Sequence, residues 1–176
     1  MKNHVKTIGA LLLAATASFA APGFMGTWSN VTIGKGGDPH ASGIEIQLWQ
    51  KDGKYLGYMA EYVGPVADPP VGQLDAIKVD EKTGAISFTA KLSVGVAPAA
   101  GGNAWVPTKN LYEFKGTFSE RAITGTLRRK SVQDDGTGLA YDESLTLAAK
   151  HRDPDGTFEA WSRRWNDALK SRGPKW

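Results

Sequence analysis

Two histidines stand beyond residue 20, His40 and His151, and each has acid nearby: Asp38 for the first, Asp153 and Asp155 for the second. Neither has a second histidine one helical turn away, as a zinc pair would need. With no cysteine in the chain, thiolate metal sites, thiol nucleophiles and disulfides are all excluded. Asp153, Asp155 and Gly156 form part of a calcium-loop pattern but lack its third acid and spaced glutamate, so they read as a helix cap. No serine sits in a Gly-x-Ser-x-Gly elbow, and no phosphate-cradling glycine loop follows a strand. The carboxylate pairs Asp134 with Asp135 and Asp142 with Glu143 flank turns, where hydration accounts for them. No catalytic residue, metal or cofactor is expected from these spacings.

What remains is recognition by aromatic and phenolic side chains, and the elements that carry them are strands. Ile86, Phe88, Ala90, Leu92 and Val94 alternate with Ser87, Thr89, Lys91 and Ser93, the pattern of a strand with one buried face. Ile44, Ile46 and Leu48 repeat it against Glu45 and Gln47. Lys51, Asp52 and Gly53 supply a tight turn into a strand from Tyr55 to Val63, and Lys82, Thr83 and Gly84 supply another before Ala85. Further strands are expected at Leu111 to Ser119, Ala122 to Lys130 and Asp142 to Lys150, with an opening one around Phe24 to Val31. Roughly eight strands with short connections predict an all-β, antiparallel up-and-down barrel, with a β-sandwich as the alternative.

Strand phase gives an expected interior. Leu56, Tyr58, Ala60 and Tyr62 are set opposite Glu61; Tyr112, Phe114, Gly116 and Phe118 opposite Glu113 and Lys115; Ile123, Gly125 and Leu127 opposite Thr124 and Thr126. Such a barrel is either filled by side chains or holds one small ligand, and Ala60, Ala90, Gly116 and Gly125 allow for the second outcome. Two longer connections, Gly64 to Gln73 and Gly95 to Thr108, interrupt the hairpins; Trp105, in the glycine-rich second, is either a ligand anchor or a pin holding the loop to the barrel.

One helix is expected, with Asp153 and Pro154 at its start and Gly173 with Pro174 as its stop. Phe158, Trp161, Trp165 and Leu169 make an apolar stripe, while Arg163, Arg164, Asn166, Asp167 and Lys170 lie off it. The stripe fits docking on the barrel, and equally an amphipathic helix meeting a membrane surface or a protein partner.

The first roughly twenty residues have the order of a secretory signal peptide: Lys2 and Lys6, an apolar run from Ile8 to Ala17, then Ser18 and Ala20 before the cut. The expected domains are therefore 1–20 as signal peptide, 21–152 as barrel and 153–176 as a helix packed on it, in a protein that is exported, periplasmic or secreted. Lys2 and Lys6 belong to the 21 basic residues while all 18 acidic ones lie downstream, so the mature chain is close to neutral. That removes the case for nucleic acid which a pI near 9.1 would otherwise suggest.

Gly26, Thr27 and Trp28 open the first strand as Gly-x-Trp, a meander of about eight strands follows, and a helix comes late. In this order the chain resembles the calycins, meaning lipocalins and their relatives. The resemblance implies that Trp28 closes one barrel end with a late-strand arginine, Arg129 by phase, packed over it. It also implies binding of a small apolar ligand, with Tyr58, Tyr62, Tyr112 and Phe114 around it and Trp105 over the mouth. The alternative is an exported interaction or inhibitor module that uses Trp161, Trp165 and Trp176 as exposed anchors. An enzyme with its site in the barrel interior ranks third.

Overall fold

A computed structural model describes residues 23–99, 102, 104–132, 138–150 and 156–176. The signal-peptide region, His151, the Asp134 and Asp135 pair and the residues 153–155 lie outside them.

The tight turn at Asp52 and Gly53 sets the register of the whole wall. Both residues have positive φ, 51° and 71°, the type I′ geometry whose twist matches the flanking strands. It joins β3 (His40–Lys51) to β4 (Lys54–Pro65) with Lys51 opposite Lys54, and so places Ile46 opposite Met59 and Ile44 opposite Glu61. The meander continues through β5 (Val71–Asp80), β6 (Ala85–Leu92), β9 (Asn110–Phe118), β10 (Ala122–Ser131) and β11 (Ala140–Lys150). The opening strand β1 (Gly23–Ser29) pairs with β11 on one side and β3 on the other, closing an eight-stranded antiparallel barrel. The all-β barrel expected from alternation is therefore present, and the sandwich is not.

Long and short connections segregate to opposite ends. The turns after β3, β5 and β9 gather at one end. The loops after β1, β4, β6 and β10 gather at the other, which we call the open end. Two short elements elaborate it: β2 (Thr32–Ile33) extends β3, and β7 (Val96–Pro98) pairs with β8 (Trp105–Pro107) as a hairpin within the long connection after β6.

Trp28 fills the opposite end. Its indole N–H donates to the Ser119 carbonyl at 3.0 Å, tying β1 to the β9–β10 turn. The glycine of Gly-x-Trp has a local reason: a Cβ at Gly26 would come within 2.8 Å of the Trp28 ring, and its φ of 154° disfavours other residues. Above Trp28 the interior is packed with Ile46, Leu48, Met59, Phe88, Phe114, Leu127 and their neighbours. Phe88 and Phe114 stack with centroids 5.0 Å apart. The space that Gly116 and Gly125 leave is not empty. These glycines face each other across β9 and β10, and the Phe114 ring lies over both, within 2.7 and 2.8 Å of where their Cβ atoms would be.

The helix α1 (Phe158–Arg172) lies on the outside of this wall. It begins later than Asp153 and Pro154 suggest: Thr157 is the N-cap, its hydroxyl accepting from the Ala160 N–H at 3.3 Å. Gly173 ends it as expected, returning its N–H to the Leu169 carbonyl. Trp161 and Trp165 are 2% and 8% exposed against Trp49, Tyr58, Ala60 and Val71. Trp165 stacks on Tyr58 at 4.9 Å with 3° between planes. Both indole N–H groups donate to one acceptor, Gln47 Oε1, at 2.8 and 3.0 Å. Burying aromatic side chains of this size stabilises the docked helix by about 2 kcal/mol each.

Candidate functional site

The register that positions α1 reverses the expected phase of β4. Gly57, Met59 and Glu61 face inward with Leu48, Ile46 and Ile44, whereas Leu56, Tyr58, Ala60 and Tyr62 face outward, under the helix. Tyr58 and Tyr62 are thus removed from the barrel interior. Alternation misleads here because both faces of β4 are buried, one by the core and one by α1. The partner-anchor expectation is corrected for the same reason, since Trp161 and Trp165 are the helix side of that interface. Trp176 is partly buried, its indole N–H directed to the Leu92 carbonyl at 3.4 Å and its ring under Lys91 Nζ at 4.5 Å.

With Glu61 inside, the upper barrel contains a charged cluster. Tyr112 donates its hydroxyl to Glu61 Oε2, and Arg129 donates from Nη1 to Glu61 Oε1. Arg129 Nε also donates to Glu143 Oε1 at 2.7 Å, and the guanidinium stands 5.3 Å from the Tyr112 ring centroid. The expected arginine over an indole is thereby corrected. Arg129 lies opposite Tyr112 and Tyr141, toward the open end, while Trp28 is bound to Ser119 at the other. Tyr112 and Phe114 line the interior as expected.

The cluster is graded in depth. Glu61 is 3% exposed and Tyr112 2%, whereas the side chains of Arg129 and Glu143 are 20% and 35% exposed. Burial, then the Glu61 charge and hydrogen bond, push the Tyr112 phenol well above the ordinary tyrosine range. Burial works against the Arg129 cation, but the Glu61 charge and the hydrogen bonds to Glu61 and Glu143 outweigh it, and Arg129 stays charged. Two carboxylates face one guanidinium. The site therefore favours a neutral or cationic polar group at its entrance and disfavours an anion.

Around this entrance large apolar side chains are exposed among charged ones such as Asp38, Asp68, Arg128 and Asp142. Ile33, Val63, Val66, Val96, Trp105, Val106, Leu139 and Tyr141 are the large hydrophobic side chains exposed among the described residues, and all eight belong to the open end. Trp105, on the β7–β8 hairpin, is 71% exposed. The sixteen residues from Ser93 to Thr108 carry no charge. Such a gathering on one end, above the partly accessible Arg129 and Glu143, is unlike scattered surface leucines and valines.

His40 is a surface group, bound through Nδ1 to Asp38 at 2.5 Å with its side chain 64% exposed. Among the described residues no group of three or more His, Asp or Glu is arranged to hold a metal ion. One cavity lies against α1, and another is lined by β5, β6 and β9. Glu61 and Glu143 were missed by reading strand faces alone. Counting outward from the Asp52 and Gly53 turn puts Glu61 opposite the inward Ile44, and that signal could have found the first of them. No known protein family, curated protein or solved structure matches this chain.

Proposed function

We propose that the chain is an exported barrel of calycin type that binds a small amphipathic molecule at its open end. The apolar body of the ligand would lie against the rim around Trp105, Leu139 and Tyr141, and a neutral or cationic head would reach Arg129 and Glu143. The observation that carries this reading is the coincidence, at one end, of the partly exposed Arg129 and Glu143 with the eight large hydrophobics exposed among the described residues. The packed Phe88 and Phe114 layer argues for a shallow seat, not a deep one. Calycin membership is supported by the closed eight-stranded meander and by Trp28 seated over Gly26. Export rests on the signal-like order of residues 1–20.

The test is calorimetric titration with three molecules of equal chain length: 1-decanol, decylamine and decanoate. Decanol and decylamine should bind one to one, and decanoate at least about tenfold more weakly, because it adds a charge to an already negative entrance. Absence of binding by all three, or tightest binding by decanoate, would overturn the proposal.

A further inference from the structure

Beside the contact of Trp165 with Tyr58, a cavity of about 360 Å³ opens between α1, the barrel wall and the loop after β4. Its floor is the outer face of β1, β3 and β4, with Thr27, Glu45 and Tyr62; its roof is Arg164, Trp165 and Ala168. The volume lies within the range of small-molecule sites.

The polar groups here are held in a chain that starts in the helix. Gln47 Oε1 is occupied by the two indole N–H groups, which fixes the amide so that its Nε2 donates to Glu45 Oε1 at 3.0 Å. One carboxylate oxygen is thus anchored, and the other is left available to the cavity. Glu45 and Arg164 have no ion pair among the described residues. Thr27 is 2% exposed and lines the same cavity, and its hydroxyl has no hydrogen-bond partner among the described residues. Glu45 and Arg164 thus line one cavity as an acid and a base with no salt bridge between them, an arrangement that a ligand carrying both charges completes. Ala60, Val71, Trp165 and Ala168 supply an apolar wall next to these groups.

We propose that this cavity is a second binding site, distinct from the open end, for a small zwitterion with an apolar side chain, the chemistry of a free apolar amino acid. Its ammonium donates to Glu45 and Thr27, its carboxylate meets Arg164, and its side chain packs on Trp165 and Ala168. Gln47 is a positioning residue, because it acts through Glu45.

Calorimetry on the mature chain with L-leucine, L-leucinamide and N-acetyl-L-leucine tests it. Leucine should bind one to one, and each probe lacking one charge about tenfold more weakly, the loss of one charge-assisted hydrogen bond. Glu45→Gln, which keeps the contact with Gln47, should weaken leucine and leucinamide but not N-acetyl-leucine. Arg164→Ala, at an exposed position, should weaken leucine and N-acetyl-leucine but not leucinamide. The proposal is overturned if leucine shows no saturable binding, if N-acetyl-leucine binds as tightly as leucine, or if neither substitution alters leucine affinity. None of these results bears on decanol binding at the open end, so the two sites stand or fall separately.

Discussion

Replacing Arg129 with methionine should expose how strongly the barrel depends on its internal charge cluster. The substitution leaves Glu61, 3% exposed, with the Tyr112 hydroxyl as its partner and no cation. Breaking a buried pair in this way costs about 3–5 kcal/mol, and the 20% exposure of the Arg129 side chain places the value near the lower end, about 3 kcal/mol. Total stabilities of single domains are about 5–15 kcal/mol, so the loss is measurable without abolishing folding. Glu143 is 35% exposed and can be hydrated when Arg129 is gone, so it adds little to the cost. Adding Glu61→Gln removes the stranded charge and still accepts from Tyr112. The double variant should therefore recover about 2 kcal/mol relative to Arg129→Met. Urea unfolding at neutral pH, followed by tryptophan fluorescence with unchanged m-values, gives each number. If the two substitutions add within about 0.5 kcal/mol, Glu61 and Arg129 are not coupled and the account of the cluster fails.

Three further outcomes follow from particular contacts. Gln47→Met strands the indole N–H groups of Trp161 and Trp165 and should destabilise the chain by about 2 kcal/mol or more in the same unfolding assay; an unchanged midpoint would show that the double acceptor is not used. Because folding raises the Tyr112 phenol above its ordinary value of 10.0, its contribution is fully present below that pH and lost as pH rises through the higher folded value. Tyr55, bound to Glu81 and pushed up to about 12, acts in the same direction. Stability should fall from pH 10 upward, less steeply in Tyr112→Phe, and an equal slope in that variant would contradict the assignment. Gly125→Ala drives a methyl group into the Lys115 carbonyl and the Phe114 ring, and should lower stability by about 1–3 kcal/mol. A midpoint equal to wild type would mean that the Phe114 layer has room for the added methyl group.

Much of the barrel is legible in its residues, and the exceptions have physical causes. β6, β9 and β10 face solvent on one side, so their alternation alone identifies Phe88, Tyr112, Phe114 and Leu127 as interior. β4 breaks the rule because α1 covers its second face. Leu56, Tyr58, Ala60 and Tyr62 are buried against a helix more than ninety residues away, which no local pattern reveals. The helix stripe was readable, but its partner was not: Trp161 and Trp165 suit an exposed anchor and a buried one alike until Gln47 and Tyr58 are seen opposite them. The open-end cluster needs Glu61, Arg129 and Glu143 from three strands: strand phase gives Arg129, the Asp52 and Gly53 register gives Glu61, and Glu143 has neither signal. The apolar rim is assembled from separate loops. It becomes visible only when the meander places every long connection at one end.

The central claim is that a ligand seats at the open end beside Trp105. At 71% exposure Trp105 is the only indole among the described residues with most of its surface in water, so it dominates acrylamide quenching and the red edge of the emission. Titration with 1-decanol should shift the emission to the blue and reduce quenching by acrylamide, and Trp105→Phe should abolish both changes. No spectral change at saturating decanol, or a blue shift that persists undiminished in Trp105→Phe, would contradict the account.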